Sequence, residues 1–435
     1  MRLISLLCIF LIIFCVSCKK PQDESPPSVQ IDIPSGNIPT FDFEDIIFIQ
    51  FSASDNEAIG SWIVTVKDEQ GITRYSSGTR QVSNEPKELT GDVGFLFDDV
   101  HWPGGDYLIT VQVFDLNDNR NAAFKTIRYF EPPLSLESIL TFSNSGLTCN
   151  VDELQNDGTF LPVNTYSTNG SIGLAGSWHQ EIVLGGKDLS ETCFTSFENT
   201  AESSCFNGPN PLGDVYTRDI YFDLATLSYL VASSDGTIRV FLVSGNLTRT
   251  FTMGEGFIPE ELIASSGRIV AELRNEAQNL STLASIDRFS GALIENVVVQ
   301  GDVVSLANYG EFVLVAGMNN DEPFVYYVDP VSLAVTDLNW FVSDQPLRKV
   351  IELSPGRYAL AHSNGVYLHI FDTNQFQDGS VNGIDAIDIA FDAANNRLYA
   401  LDNTSIYQLN TGTMAIMETW NAPSGAFDIE LLFNK

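Results

Sequence analysis

A short motif recurs at wide spacing in the last two-thirds of the chain. Asp219–Ala225 reads DIYFDLA, and Asp388–Ala394 reads DIAFDAA, 169 residues further on. That interval accommodates about four units of roughly 42 residues, and repeats of this length indicate an architecture of stacked, similar units. This repeat constrains the fold more than any other feature of the sequence.

Arg397–Trp420 (RLYALDNTSIYQLNTGTMAIMETW) predicts three consecutive strands separated by turns. Two of these strands recur in the preceding units. The second strand of the unit is predicted at Tyr229–Ser233, Arg268–Leu273, Phe312–Ala316, Arg357–His362 and Arg397–Asp402. The third is predicted at Ile238–Leu242, Leu283–Asp287, Val325–Asp329, Val366–Asp372 and Ile406–Asn410. A fourth strand ends near Trp340 and Trp420, and each unit needs its neighbours to bury its apolar face.

Four-stranded units of this length are typical of β-propeller blades. A period of about 42 over residues 138–435 predicts a propeller of about seven blades. Six or eight blades are the alternatives, because residues 138–215 follow the pattern less closely. Gly425–Phe433 reads as a single strand, which we expect to complete a blade begun near Leu136–Phe142 and Thr159–Val163.

The LYALD…LNTGT string of Arg397–Trp420 resembles the repeats of quinoprotein-like and YVTN/NHL-type propellers. The resemblance extends over about Asp219–Trp420 and implies the fold. It implies no ligand, since quinoprotein-like repeats often hold no cofactor and the chain contains no cofactor motif.

Residues 1–17, MRLISLLCIFLIIFCVS, combine one positive charge with a nearly unbroken apolar run. The run is too short for a membrane span and predicts a secretory signal peptide. The following residues resemble a bacterial lipobox, although Cys15 replaces its usual leucine. The resemblance implies cleavage before Cys18 and acylation of that cysteine, which would anchor the protein in lipid. Simple secretion is the alternative.

Lys19 follows the predicted lipidation site, where an aspartate would imply retention in the inner membrane. The sequence therefore favours the outer membrane, with the protein facing either the periplasm or the exterior. Residues 18–28 are polar and proline-rich, which predicts a tether.

Short alternating strands predict a β-sandwich over residues 29–131, followed by a linker over 132–137. The predicted strands are Val29–Ile33, Ile46–Ala53, Ile59–Lys67, Tyr107–Phe114 and Ala122–Phe130. Phe51–Gly71 and Gly105–Ile127 resemble bacterial Ig-like modules, which are usually spacers or adhesion units. The predicted fold class is therefore all-β, with an N-terminal Ig-like β-sandwich followed by a β-propeller.

The chain carries 56 acidic and 22 basic residues, a net charge of −34. It lacks a basic stretch of useful length, which argues against nucleic acid as a partner. The excess of carboxylates predicts a solvated acidic surface, with divalent cation binding as the alternative.

Asp115-Leu116-Asn117-Asp118-Asn119 matches the D-x-N-D-N calcium string of cadherins. Asp115, Asn117 and Asp118, with Asp55 from a neighbouring loop, are candidate calcium ligands because Ca²⁺ takes oxygen ligands. The alternative is a hairpin turn, in which Asp and Asn are favoured.

Cys193 and Cys205 lie in a polar insertion, Leu189–Gly213, and are candidates for a disulfide in an oxidising compartment. Cys149 is either free and buried or the true partner of one of them. A zinc ribbon is disfavoured because the chain contains no C-x-x-C pair.

The sequence contains none of the motifs G-x-S-x-G, H-E-x-x-H, G-x-G-x-x-G or G-x-x-x-x-G-K-[ST]. Trp178 and His179 fall at a predicted turn and are candidate ligand contacts, since an exposed aromatic ring can stack on a sugar. Packing between blades is the alternative for both residues.

The leading hypothesis is a lipid-anchored binding or scaffolding protein of the cell envelope. Acylated Cys18 would hold it to outer-membrane lipid, and a propeller face would engage an envelope protein or a glycan. One alternative is a polysaccharide lyase or glycoside hydrolase, with carboxylates, an arginine and a tyrosine or histidine in the central pocket. The other is calcium-dependent adhesion through the sandwich.

Overall fold

The computed structural model describes residues 24–32, 38–187, 191–200, 203–208, 215–338, 343–371 and 375–435. Regular structure in these ranges consists of β-strands and three short 3-10 helices, Ser177–His179, Val243–Gly245 and Glu276–Gln278. The all-β prediction is confirmed. Within the same ranges, no helix has the length and apolarity needed to cross a membrane. The predicted signal peptide, Cys18 and most of the tether lie outside the described residues, as does Trp340.

The chain divides into two compact units, Met1–Pro133 and Leu134–Lys435. The first unit contains β1 (Ser28–Ile31), β2 (Thr40–Asp42), β3 (Ile46–Ser54), β4 (Ile59–Lys67), β5 (Thr73–Ser76), β6 (Arg80–Gln81), β7 (Glu88–Leu96), β8 (Gly105–Asp115) and β9 (Arg120–Phe130). One sheet has the order β1-β3-β7, and the other has the order β2-β9-β8-β4-β5, with β6 paired to β4. The pairing of β2 with β9 is parallel.

The two sheets of the first unit share one hydrophobic core. Burial along β3 alternates residue by residue, as expected for a strand with one face in the core and one in water. Five aromatic residues pack together there: Phe95, Phe97, Trp102, Tyr107 and Tyr129. The five strands predicted from the sequence are present, whereas β2, β5, β6 and β7 were not predicted.

The described part of the second unit contains seven four-stranded antiparallel sheets. Sheet 1 has the order β12-β11-β10-β37, and sheets 2 to 7 each take four consecutive strands, from β13 to β36. Sheets 1 to 3 comprise β10 (Leu136–Ser145), β11 (Thr148–Leu154), β12 (Phe160–Tyr166), β37 (Ala426–Phe433), β13 (Gly170–Gly176), β14 (Glu181–Gly186), β15 (Glu191–Ser196), β16 (Ser203–Asn207), β17 (Thr217–Asp223), β18 (Ser228–Ser233), β19 (Thr237–Leu242) and β20 (Asn246–Thr252).

Sheets 4 to 7 continue the same pattern of four consecutive strands. They comprise β21 (Ile258–Ser265), β22 (Arg268–Asn275), β23 (Leu280–Asp287), β24 (Leu293–Val299), β25 (Asp302–Tyr309), β26 (Phe312–Asn319), β27 (Glu322–Val328), β28 (Val335–Asp337), β29 (Leu347–Ser354), β30 (Arg357–His362), β31 (Gly365–Ile370), β32 (Gln375–Asn382), β33 (Asp388–Asp392), β34 (Arg397–Leu401), β35 (Ser405–Asn410) and β36 (Ile416–Asn421).

Burial falls from the second strand to the fourth strand of these sheets. The second strands β14 and β18 are buried along their whole length, because both of their faces pack against neighbouring sheets. The fourth strands β20, β24 and β36 are mostly exposed. This gradient explains why the second and third strands carry the clearest apolar pattern in the sequence.

The C-terminal strand completes sheet 1. β37 pairs antiparallel with β10, with Ile429 opposite Thr141 and Glu430 opposite Leu140. This is the pairing predicted from the sequence between the tail and the strand near Leu136–Phe142. β10 begins inside the segment 132–137 that the sequence predicts as a linker.

Buried apolar clusters join each sheet of the second unit to the next. Six clusters link consecutive sheets, from sheets 1 and 2 to sheets 6 and 7. A further cluster contains Tyr399 and Leu401 of sheet 7 together with Ile429 and Leu431 of sheet 1. Each of sheets 1 to 7 therefore packs buried side chains against two other sheets, and sheet 7 packs against sheet 1.

Removing buried methyl groups from β37 should weaken the second unit strongly. Ile429 is fully buried between sheets 7 and 1, so we expect Ile429→Ala to lower the free energy of unfolding by about 2–5 kcal/mol. Ile416→Ala is the matched control, since Ile416 lies on β36 and is 48% exposed. We expect this control to change the free energy by about 0.5 kcal/mol or less in denaturant unfolding. Equal small effects of the two substitutions would contradict the role of β37.

Candidate functional site: an acidic cavity

A β-bulge recurs near the start of one edge strand in six of the described sheets. The register shifts fall in β13, β17, β21, β25, β29 and β37. A bulge changes the direction of the side chains that follow it, and bulges are frequent beside functional sites. The residues directly after these bulges are Ile172, Asp219, Leu262, Ser305, Lys349 and Asp428.

All six of these residues line one cavity of about 630 Å³, which we call the acidic cavity. β33 contributes the seventh side of its wall through Asp388 and its neighbours. We call β13, β17, β21, β25, β29, β33 and β37 the inner strands. The lining contains two basic residues, Arg348 and Lys349. It contains six acidic residues: Asp219, Glu261, Glu352, Asp388, Asp428 and Glu430.

Three aspartates of the cavity bind backbone amides of the neighbouring inner strand. The Leu262 N–H donates to Asp219 Oδ2 at 2.8 Å. The Ile429 N–H donates to Asp388 Oδ2 at 2.9 Å. The Gly173 N–H donates to Asp428 Oδ2 at 2.7 Å. Because these strands are sheet edges, their amides need partners outside their own sheet, and the carboxylates supply them.

Serine hydroxyls make the complementary bonds to carbonyl groups. Ser171 Oγ on β13 donates to the Thr217 carbonyl on β17 at 2.8 Å. Ser305 Oγ on β25 donates to the Val350 carbonyl on β29 at 3.0 Å. Close approach of the strands also needs Gly173, where a Cβ atom would lie 2.6 Å from the Phe142 ring.

Lys349 is the basic residue that pairs with a carboxylate of the acidic cavity. Its ammonium donates to Asp388 Oδ1, and the two side chains form an ion pair. Burial lowers the pKa of Lys349, but the attraction of Asp388, Asp428 and Glu430 outweighs this, so its pKa lies above the usual value. Burial likewise opposes ionisation of Asp388, yet Lys349 and the Ile429 amide bring the pKa of Asp388 below its usual range.

Four other carboxyl groups of the cavity have pKa values above their ordinary ones. Burial raises the pKa of Asp219 to about 6, despite the amides that donate to it. Burial raises the pKa of Glu430 to about 7, which outweighs the attraction of Lys349. Burial and then repulsion from Asp388 raise the pKa of Asp428 well above its ordinary value. Burial and then repulsion from Asp219 do the same to the pKa of Glu261.

The second basic residue of the cavity is held at its rim. Arg348 Nη2 pairs with Asp385 Oδ1 at 2.6 Å, and its Nη1 donates to the Ala386 carbonyl at 3.3 Å. Its charge is therefore largely directed at Asp385, away from the carboxylates around Lys349.

The acidic cavity is not evident from the sequence. Its signal was the dipeptide Asp-Ile, which occurs at Asp219, Asp388 and Asp428. Asp219 and Asp388 line the cavity, whereas the second aspartates of the same repeated motif, Asp223 and Asp392, do not. These two residues accept hydrogen bonds within turns.

The candidate calcium ligands of the first unit lie in two adjacent loops. Asp115 Oδ1 accepts the N–H groups of Asn117 and Asn119, both at 2.8 Å, so it closes the turn between β8 and β9. Asp118 is exposed with a φ of 65°, as suits such a turn. Asp55 Oδ2 accepts from Glu57 and Ala58 in its own loop. These bonds support the hairpin-turn interpretation, and calcium binding stays a prediction.

Trp178 and His179 lie in a 3-10 helix and are half-buried. The ring of His179 packs against Phe222, with centroids 5.7 Å apart, and against Tyr229 at 6.3 Å. Neither residue lines the acidic cavity. The contacts of His179 favour packing between sheets 2 and 3.

Cys193 and Cys205 form a disulfide between β15 and β16. They lie near Glu191, and this is the one group of metal-ligating side chains found close together among the described residues. Sulfurs joined in a disulfide are not thiolates, so they are not metal ligands. Cys149 is free and buried, and burial raises the pKa of its thiol to about 12.

No family model and no curated protein matches this chain. Among solved structures, it is similar to the computationally designed Ika8 protein, with 15% identity and a TM-score of 0.45 over 67% of this chain and 91% of that one. It is also similar to the dihydro-heme d1 dehydrogenase NirN in complex with DHE, with 10% identity and a TM-score of 0.49. That match covers 74% of this chain and 72% of NirN.

The raised pKa of Glu430 predicts a pH-dependent stability difference between the wild type and Glu430→Gln. The pKa of Glu430 is about 7 in the folded chain against 4.5 for an ordinary glutamate. Its contribution to stability is therefore complete below pH 4.5 and lost as the pH rises through 7. We expect equal melting temperatures near pH 5, and a melting temperature higher by about 4 °C for the variant near pH 8.

Comparing the two proteins at each pH removes the contributions of other groups. His362 and His369 have the opposite effect on the pH dependence of stability. Burial lowers the pKa of both, so their contribution to the free energy of unfolding is lost as the pH falls. These histidines are present in wild type and variant alike. A difference in melting temperature that stays constant from pH 5 to pH 8 would refute the prediction.

Proposed function

We propose that the chain is a lipid-anchored binding or scaffolding protein of the cell envelope, with an Ig-like β-sandwich followed by a seven-bladed β-propeller. The seven four-stranded sheets and the pairing of β37 with β10 support the propeller. The apolar cluster between sheets 7 and 1 supports its closure. The two sheets and common core of the first unit support the sandwich.

The observation that carries the functional proposal is the acidic cavity. All seven inner strands contribute to it, and six acidic and two basic side chains converge on it between aliphatic ones. Concave sites with a few converging polar groups are where proteins commonly bind ligands. The rim of this cavity is the propeller face that we propose for partner binding.

The lipobox-like residues around Cys18 support the anchoring part of the proposal. Acylated Cys18 would hold the protein to outer-membrane lipid, facing the periplasm or the exterior. The net charge of −34 argues against nucleic acid and anionic lipid headgroups as partners of the folded units. An envelope protein or a glycan is the proposed partner.

One observation favours an enzyme as the second candidate. The acidic cavity contains the residue types expected of a polysaccharide lyase or glycoside hydrolase, namely carboxylates, Arg348 and Tyr221. Asp388 has a lowered pKa and Asp428 a raised pKa, and two carboxyl groups whose pKa values are shifted apart suit acid and base chemistry. Calcium-dependent adhesion through the Asp55 and Asp115 loops stays a third hypothesis.

The proposal predicts a stoichiometric partner in the envelope. The tagged, lipidated protein should be purified from gently solubilised native membranes, and its partners identified by mass spectrometry. We expect one envelope protein at about equimolar amount. Cys18→Ser is the control for anchoring, and we expect it to move the protein from the membrane to the soluble fraction.

Recovery of the protein alone would contradict the scaffold function. In that case the enzyme candidate is tested next, by screening anionic and neutral polysaccharides for cleavage. A membrane-bound Cys18→Ser variant would contradict the lipid anchor independently of any partner.

A further inference from the structure

The acidic cavity has more negative charge than its own cations can balance. Lys349 pairs with Asp388, and Arg348 pairs with Asp385. Among the described residues, no lysine or arginine lies within 4.0 Å of the remaining carboxylates. These are Asp219, Glu261, Glu352, Asp428 and Glu430. Carboxylates crowded into one cavity without a paired cation favour protonation or the binding of a positively charged ligand.

Asp428 points to a ligand independently of the charge count. It is 6% exposed and lines the cavity. Its Oδ2 accepts from Gly173, but its Oδ1 has no hydrogen-bond donor among the described residues. A buried carboxylate oxygen without a donor is costly, so this atom marks a place where a donor is missing.

The spacing of the carboxylates disfavours a single metal ion. Three oxygens that bind one ion lie close together, because Ca²⁺ ligands are about 2.3–2.6 Å from the metal. The carboxylates of the acidic cavity do not form such a group: the group found among the described residues is Glu191, Cys193 and Cys205. A ligand with several separated N–H donors matches dispersed carboxylates better.

The wall between the carboxylates is aliphatic. Ile172, Leu174, Val350, Ile389 and Leu431 line the same cavity. Such a wall suits methylene groups, whereas each ammonium group donates three charge-assisted hydrogen bonds to carboxylates. A volume of about 630 Å³ is within the range of small-molecule sites.

We propose that the acidic cavity binds a small linear polyamine, a molecule with two or more primary ammonium groups joined by methylene chains. One ammonium lies against Asp428 and Glu430, and another lies against Asp219 and Glu261. The methylene chain lies along the aliphatic wall. Binding displaces protons from these carboxylates. The inference goes beyond the proposed function, because it concerns a small ligand and needs no macromolecular partner.

Isothermal titration of the full lipidated protein in detergent tests the proposal, with spermidine as the probe at about 0.15 M NaCl. We expect saturable binding at one site and proton release, seen as a binding enthalpy that changes with the ionisation enthalpy of the buffer. Butane-1,4-diol has a similar chain without charge, and we expect it not to bind. Glu430→Gln and Glu261→Gln should each weaken spermidine binding by about tenfold or more.

Glu295→Gln is the matched charge control, since Glu295 is exposed on β24, away from the cavity. It should leave spermidine binding unchanged, which separates the cavity from general attraction to an acidic protein. Absence of saturable binding at about 1 mM spermidine would overturn the proposal. Equal weakening by all three variants would also overturn it, as would tighter binding of Mg²⁺ or Ca²⁺ than of spermidine.

Melting temperatures of the variants separate loss of the site from loss of the fold. If one cavity variant fails to fold, the other decides the result. Failure of the pull-down with successful spermidine binding would remove the scaffold function and leave this inference standing. A successful pull-down without spermidine binding would remove this inference and leave the scaffold function standing.

Discussion

The architecture of the second unit depends on how the edges of its inner strands are satisfied. Each inner strand has a sheet partner on one side only, so half of its backbone groups face the next sheet. Asp219, Asp388 and Asp428 accept amides there, and Ser171 and Ser305 donate to carbonyls. An unsatisfied buried amide costs about 1–3 kcal/mol. These side chains therefore link neighbouring sheets along their inner strands.

The same requirement creates the chemistry of the acidic cavity. A carboxylate has two oxygens, and the neighbouring strand uses only one oxygen of Asp388 and Asp428. The other oxygen of Asp388 meets Lys349, and that of Asp428 has no donor among the described residues. Burial disfavours the charged form of a carboxyl group, which is why the pKa values of Asp219 and Glu430 lie near 6 and 7. The aspartates that accept hydrogen bonds from neighbouring strands are thus also the groups with shifted pKa values in the cavity.

Local patterns in the sequence predicted local structure well. The second strands of the repeat are buried on both faces, so their apolar runs are continuous and predict strands correctly. β7 was missed because it is polar along much of its length and contains Gly91 and Gly94. The D-x-N-D-N string predicted either a turn or a calcium site, because both uses select the same oxygen-rich residues. Hydrogen bonds to Asp115 support the turn, and such bonds are not visible in the sequence.

The acidic cavity could not be predicted in the same way, because its parts come from distant segments. Gly173 and Asp428 are separated by 255 positions and meet only when β37 pairs with β10. β37 also supplies Glu430, so two of the six acidic residues arrive with the final strand. The cavity is therefore complete only in a chain whose C-terminal strand is in place. A ligand that needs Asp428 and Glu430 binds that state alone, and by mass action it stabilises the pairing that completes the unit.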